Sequence, residues 1–509
     1  MPLELSKNSI TQSNMALCPT ARQNIDLQLN LPDYCTDIKR ILKCCVEPGI
    51  SSVSLKGEKL SATGGVTIRL IYVNDDDKTD CYESRADLDV STEINGNLQN
   101  VTVTACCKTD YVNCRAMSQR RVYVSGSVTV NFSVLEERKK EFLSECKEDH
   151  IQLKKSAFKS RNIICQAEKS FDLNETVSLE NDKPDIGKIL FANAFAVVDS
   201  KKTVTGKMLI KGELVCDVVY CPDKGDNKML KLRHTMPISQ IIDLAGADEK
   251  SSCMLNLSVM RLMVNSKADS TGKNRLLEIA AKISALAKCS ETKEFSCVLD
   301  SYSTKCELET ENETVDFCVP VAEINETRTV RKSFELQKGI KEICSIKAED
   351  ISTKITFNEN RAVVSFSALL IVLYLDSKGV PSCAEKSFEF EYEPNLPVKN
   401  VKLSGEICGV VKDVSGLITG KDSFEVSADV FLQGEICQQT EERVVKNISV
   451  DESKEGTKEN SALIIYYPQK GEKLWDIAKK YNTTVVLLKE ENGCGEEIGE
   501  EQMLIIPAI

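Results

Sequence analysis

The chain reads as a mainly β protein: three tandem β-sandwich-like domains, each with a short helix, and a small strand–helix–helix–strand (βααβ) unit at the end. Three observations predict this. One pattern recurs three times with the same internal spacing. Inside each copy, apolar and polar residues alternate with period two, as in strands with one buried face. Near the end the period lengthens to that of helices, around the only tryptophan of the sequence.

The first copy joins TDIKRIL (Thr36–Leu42) to GGVTIRLIYVNDD (Gly64–Asp76). The second joins PDIGKIL (Pro184–Leu190) to GELVCDVVYCPDKGD (Gly212–Asp226), and the third KGIKEIC (Lys338–Cys344) to FSALLIVLYLDSKG (Phe366–Gly379). Asp37 to Tyr72, Asp185 to Tyr220 and Gly339 to Tyr374 are each 35 residues. The copies are 148 and then 154 residues apart. That is too long for a solenoid unit and right for a whole domain with its own core. The expected division is 1–135, 136–290 and 291–450 for the three domains, 451–460 for a linker and 461–509 for the terminal unit.

Within Val66–Val73, residues Val66, Ile68, Leu70 and Tyr72 share one face, with Thr67 and Arg69 on the other. Val122–Phe132 alternates likewise, with Gly126 marking a bulge or a close approach, and so does Phe424–Leu432. Turn residues follow each repeated tyrosine: NDDD, PDKGD and DSKG. The TDIKRIL segment predicts a short helix, since Ile38, Ile41 and Leu42 take i, i+3, i+4 spacing and Asp37 suits an N-cap. The repeated tyrosines are expected in the cores with their hydroxyls at the rim. Glu136–Lys140 (EERKK) and Asp451–Asn460 (DESKEGTKEN) lack apolar periodicity and read as weakly structured connectors, the second a flexible tether.

Composition narrows the function classes. The net charge is −12 and no dense Lys/Arg stripe occurs, so neither nucleic acid nor an anionic membrane is an expected partner. The opening residues show no basic segment followed by an apolar run, so no secretory signal is expected. The most apolar run, Ala368–Leu375, has the length of a strand and not of a membrane span. The 22 cysteines are expected as reduced, mostly buried thiols. No C-x-x-C pair exists and the only histidines are His150 and His234, so the spacing favours no structural zinc and no cofactor is expected. No nucleophile motif accompanies those histidines. Lys267–Arg275 (KADSTGKNR) lacks the first glycine of a phosphate loop and has Asn274 in place of its hydroxyl residue. Catalysis is not expected.

In the terminal unit LIIYY (Leu463–Tyr467) reads as a strand. A helix carrying Leu474, Ile477, Ala478 and Tyr481 on one face follows Gly471. Asn482 suits a left-handed cap, Thr484 an N-cap for a second helix, and Asn492–Gly493 its end. Met503–Pro507 (MLIIP) closes as a strand. Gly471, Leu474, Trp475, Ile477, Ala478, Tyr481, Thr484, Val485, Leu488, Asn492, Leu504, Ile506 and Pro507 together resemble a LysM domain. The three repeated copies resemble the SPOCS domain of clostridial sporulation proteins, through the aspartate–isoleucine segment and the strand ending in tyrosine. Repeated SPOCS domains followed by one LysM resemble the SipL-like spore morphogenesis proteins.

That resemblance implies a non-enzymatic adaptor of the mother-cell cytoplasm, recruited to the forespore surface and spore coat. Its LysM would dock onto the coat-basement ATPase, stage IV sporulation protein A, alongside other coat proteins. The alternative it implies is binding of peptidoglycan or N-acetylglucosamine in the LysM groove, here Gly471, Glu472, Lys473, Leu474, Asn492 and Gly493. The sequence departs from the LysM pattern in three places. Glu472–Lys473 replaces the hydroxyl cap of the first helix, Val486–Leu487 stands where the second helix exposes glutamates, and Glu500–Glu501 replaces a Pro-Gly turn beside Glu496 and Glu497. An acidic unit with an apolar tip suits a protein surface better than a neutral sugar. The expected partner-binding residues are therefore Trp475, Val486 and Leu487, supported from the core by Ile477 and Leu488.

Overall fold

The computed structural model describes residues 3–95, 98, 100–223, 229–358, 361–455, 464–469, 471–495 and 503–507. Its architecture follows from one strand plan laid down three times. In the first repeat β1 (Leu5–Leu17) and β2 (Thr20–Asn30) precede a meander of β3 (Ile38–Lys56), β4 (Lys59–Asn74) and β5 (Thr79–Glu93), and then a hairpin of β6 (Val101–Ser118) and β7 (Arg121–Cys146). β7 lies between β6 on one edge and β1 and β2 end to end on the other. The second repeat has one long opening strand, β8 (Ile151–Ser178), then β9 (Ile186–Val204), β10 (Lys207–Pro222), β11 (Leu230–Asp243), β12 (Ser252–Ala268) and β13 (Asn274–Ser303). The third follows the same order with β14 (Cys306–Glu335), β15 (Ile340–Asn358), β16 (Arg361–Asp376), β17 (Pro381–Tyr392), β18 (Lys402–Ile418) and β19 (Ser423–Glu455). Each repeat thus packs a three-stranded meander against a sheet in which the last strand lies between the first and the penultimate. All pairings are antiparallel, and each sandwich has its own apolar core.

Two sequence expectations are corrected here. The helix expected at TDIKRIL is the start of β3. The register shifts between Ile38 and Arg40 and again between Ile41 and Lys43. Each bulge adds a residue to a period of two, so two bulges three residues apart imitate helical spacing. The same double shift recurs at Ile340–Glu342 and Ile343–Ser345 in β15. Asp37 caps nothing. It takes Arg120 Nη1 at 2.5 Å, while the same guanidinium donates to the carbonyls of Pro32 and Cys35 in the loop ahead of β3. Asp185 and Arg275 repeat the arrangement at 2.7 Å. The second correction concerns the connectors. Glu136–Lys140 lies inside β7 and residues 451–455 inside β19, so the divisions drawn at 135, 290 and 450 cut through strands; residues 456–460 lie outside the described residues.

The strands that cross those divisions build a second structure beneath the sandwiches. The ends of β1 and β7, of β8 and β13, and of β14 and β19 form three two-stranded ribbons, one per repeat. Their apolar residues meet in a common stem, where the Phe142 ring sits 6.2 Å, edge-on, from both Phe295 and Phe317. The sandwiches also share a core of their own. Leu42, Leu190 and Cys344 occupy equivalent positions of the three repeats, as do Ile71, Val219 and Leu373, and Cys81, Met229 and Cys383; all nine pack together. The repeats are therefore arranged around a pseudo-threefold axis and are not separate beads. This explains the long apolar run at Ala368–Leu375: Leu370, Val372 and Tyr374 face their own sandwich, and Ile371 and Leu373 face the axis. A strand covered on both faces has no polar alternation to show.

Ion pairs join the repeats around this axis. Lys43 meets Glu385 at 2.6 Å, Arg233 meets Asp413 at 2.8 Å, and Glu47 bridges Arg69 of its own repeat and Lys347 of the third. Burial opposes the charge on Lys347, but Glu47 and Glu349 outweigh it and hold the ammonium well above the usual lysine range. The repeated tyrosines are buried as expected. Tyr72 Oη donates to the Thr36 carbonyl at 3.1 Å and Tyr220 Oη to the Pro184 carbonyl at 3.3 Å. Burial pushes the thiols of Cys216, Cys221 and Cys344 up to about 12, so they behave as small apolar groups. The expectation that the 22 cysteines are all reduced is corrected at one pair: Cys253 and Cys289, which face one another across β12 and β13, form a disulfide, and the other cysteines are free.

Candidate partner-binding site

The terminal unit contains β20 (Ile464–Tyr466), α1 (Leu474–Lys480), α2 (Val485–Asn492) and β21 (Leu504–Ile506), with β20 and β21 antiparallel. Its core is Leu474, Ile477, Ala478, Leu488, Leu504 and Ile506. α1 starts at Lys473 with no side-chain cap. The turn before it is held by Glu472, whose carboxylate accepts from the Gln469 N–H at 3.0 Å and from Tyr466 Oη at 2.9 Å. Asn482 takes the left-handed conformation at φ +50°. Thr484 Oγ1 accepts from the Leu487 N–H at 3.1 Å and caps α2, which ends at Gly493 with φ +59°. A hydroxyl cap of this kind stabilises a helix by about 1 kcal/mol.

The expected partner residues fall into two groups. Val486 and Leu487 stand on α2 with 62% and 37% of their surface exposed. Tyr466 packs edge-on against Tyr481 at 5.5 Å and leaves the α2 pair uncovered. Ile465, Tyr467 and Met503 are further exposed apolar side chains of the same unit. Trp475 is half-buried and turned toward the stem. Its Nε1 donates to Asp300 Oδ2 at 2.7 Å, and its ring meets Tyr302 edge-on at 5.0 Å. Neither Asp300 nor Tyr302 stood out in the sequence. They share one face of β13 two residues apart, a signal that has meaning only once β13 is known to reach past residue 290.

The residues of the expected glycan groove are also placed. Leu474 is buried, Gly471 and Gly493 are turn glycines with positive φ, and Lys473 precedes α1. Asn492 Nδ2 donates to the carbonyls of Leu488 and Ile505 at 2.8 Å each, and its Oδ1 accepts from the Ile505 N–H at 2.6 Å. The side chains of Glu472 and Asn492 thus serve the unit's own backbone. Glu496, Glu497, Glu500 and Glu501 lie outside the described residues.

The other candidate motifs are structural. Lys267–Arg275 holds the hairpin turn between β12 and β13, where Asp269 Oδ1 accepts from the Thr271 N–H at 2.7 Å and the Lys273 N–H at 3.2 Å. His150 ends the turn between β7 and β8, and its carbonyl accepts from the Thr304 N–H at 2.9 Å; His234 on β11 faces Glu175 at 3.2 Å. Among the described residues no group of histidine, cysteine, aspartate and glutamate has the arrangement of a metal site, and no helix is long and apolar enough to cross a membrane.

Fold and site together define a class: a mainly β chain of three repeats fused around a common axis, carrying a small βααβ unit with an exposed apolar pair. Residues 185–267, which hold most of the second repeat from β9 through β12, match the family model described as SipL, SPOCS domain. Over that segment the chain is SipL-like, which relates it to sporulation proteins. No curated protein and no solved structure matches it.

Proposed function

We propose that this chain is a non-enzymatic adaptor of spore-coat morphogenesis, acting in the mother cell at the forespore surface, where its terminal unit docks onto the coat-basement ATPase. The observation that carries the reading is the exposure of Val486 and Leu487 on a helix held at both ends by its own caps. Covering the two at a protein surface contributes about 2–3 kcal/mol before the costs of association. Val486 is β-branched and stiff, and ordering Leu487 costs only about 0.5–1 kcal/mol of rotamer freedom. Glycan binding is less well supported, because the polar side chains of Glu472 and Asn492 are occupied within the unit.

Leu487→Asp places a charge in the contact without touching the buried core. It is expected to abolish capture of the purified ATPase in a pull-down, while the helical unit keeps its circular dichroism. Undiminished capture would remove Leu487 from the interface. Sedimentation of the intact chain with purified cell wall, if strong and relieved by chitin oligomers, would favour the sugar instead.

A further inference from the structure

The terminal unit is fastened to the stem through one aspartate and one tyrosine. Asp300 and Tyr302 lie on one face of β13 just before the turn into β14. Trp475 and Lys479, four residues apart, project from one face of α1. Both converge on Asp300: Trp475 Nε1 reaches Oδ2 at 2.7 Å and Lys479 Nζ reaches Oδ1 at 2.6 Å. Tyr302 Oη donates to the Thr483 carbonyl at 2.7 Å, in the turn between α1 and α2, and its ring covers the edge of the indole. The contact is specific but rests on few groups. Trp475 has a single N–H, and Asp300 uses it.

Resting on the proposed docking of the terminal unit to the ATPase, and on the sequence expectation that Trp475 takes part in it, we infer that Asp300 and Tyr302 form an intramolecular competitor for that partner. The same indole N–H and ring serve either the stem or the coat-basement ATPase. The chain therefore alternates between a docked state with Trp475 sequestered and a released state that captures. Val486 and Leu487 stay exposed in the docked state, so first contact precedes release. The surface that displaces the stem offers what the stem offers: a carboxylate for the indole N–H and Lys479, with an aromatic ring beside it. If the contact served only as glue, loosening it would weaken capture; as a competitor, loosening it strengthens capture.

The single tryptophan makes docking directly visible. In the full chain, Asp300→Ala and, separately, Tyr302→Phe are expected to shift Trp475 emission to longer wavelength and raise its quenching by acrylamide. Tyr302→Phe keeps the ring and removes only the hydroxyl, which guards against a fold defect at Asp300. For a docked-to-free ratio of about ten, Asp300→Ala tightens apparent affinity for the ATPase about tenfold. Unchanged emission in both variants overturns the docking. Shifted emission with unchanged or weaker affinity overturns the competition. If no chain, wild type included, binds the ATPase, the proposed function fails and the competition with it, while the emission still decides whether the unit docks.

Discussion

Asp37 and Asp185 show how a residue's role depends on a partner far along the chain. In the sequence each looks like a helix cap. In the structure each neutralises an arginine that holds the loop ahead of the meander, Asp37 with Arg120 and Asp185 with Arg275. The third repeat lacks both members together. Gly339 stands at the aspartate position with φ +66°, and Asp422 replaces the arginine, its backbone carbonyl accepting from the Leu336 N–H as that of Arg275 does from Leu179. An added Cβ at Gly339 would lie 3.2 Å from Asp422 Oδ1, so the two positions fit each other in this repeat as in the others. Arg275→Met removes donors to the Lys183 and Glu180 carbonyls at 3.0 and 2.8 Å as well as the ion pair. Hydrogen exchange is expected to quicken in residues 180–186, with a local loss of about 1–2 kcal/mol because the pair is partly exposed. The 35-residue spacing between marker and tyrosine was legible because it lies within one meander. The arginine was not, because it belongs to a hairpin 83 residues away at Arg120 and 90 residues away at Arg275.

At the scale of elements, what could be read was the strand with one wet face. Phe424–Leu432 alternates in the structure as it does in the sequence; in Val122–Phe132 the apolar residues are buried, but Ser127 and Thr129 on the other face are covered too and donate to Asp110. The terminal helices were legible for the same reason, since their apolar faces and the Thr484 cap of α2 are local. Bulges defeated the pattern, because their cause is the partner strand. Gly64 and Gly212 occupy equivalent bulge positions and allow close approach of the neighbouring strand. A Cβ at Gly64 would sit 2.0 Å from the Gly49 carbonyl oxygen, and one at Gly212 2.2 Å from that of Val197. Backbone cannot yield as a side chain does. Gly64→Ala is therefore expected to destabilise the first repeat by about 2–4 kcal/mol, read as a lower denaturant midpoint for protection of β3 and β4 in pulsed hydrogen exchange. Gly57→Ala, with open space around it but φ +61°, is expected to cost only about 1 kcal/mol.

At the scale of the molecule, the sequence reading took the three copies for separate beads, since a period of whole-domain length fits separate domains as well as fused ones. What decides is a second set of apolar positions, offset by one residue from the sandwich face: Ile71, Val219 and Leu373, beside Leu42, Leu190, Cys344, Cys81, Met229 and Cys383. Each repeat offers these to the other two and none covers them alone. Leu373 is fully buried, yet its neighbours on the axis come from all three repeats, so its loss is felt where no chain connection would carry it. Leu373→Ala should cost about 2–4 kcal/mol. In separate beads that loss would fall on the third repeat, and limited proteolysis would cut there first. In the fused arrangement β4 and β10 lose packing against the axis at the same time, so protease sensitivity should rise in all three repeats at one denaturant concentration. Combining Ile71→Ala with Leu373→Ala should then depart from the sum of the single effects, because both side chains belong to one buried cluster on the axis. Additive losses and cleavage confined to the mutated repeat would restore the beads.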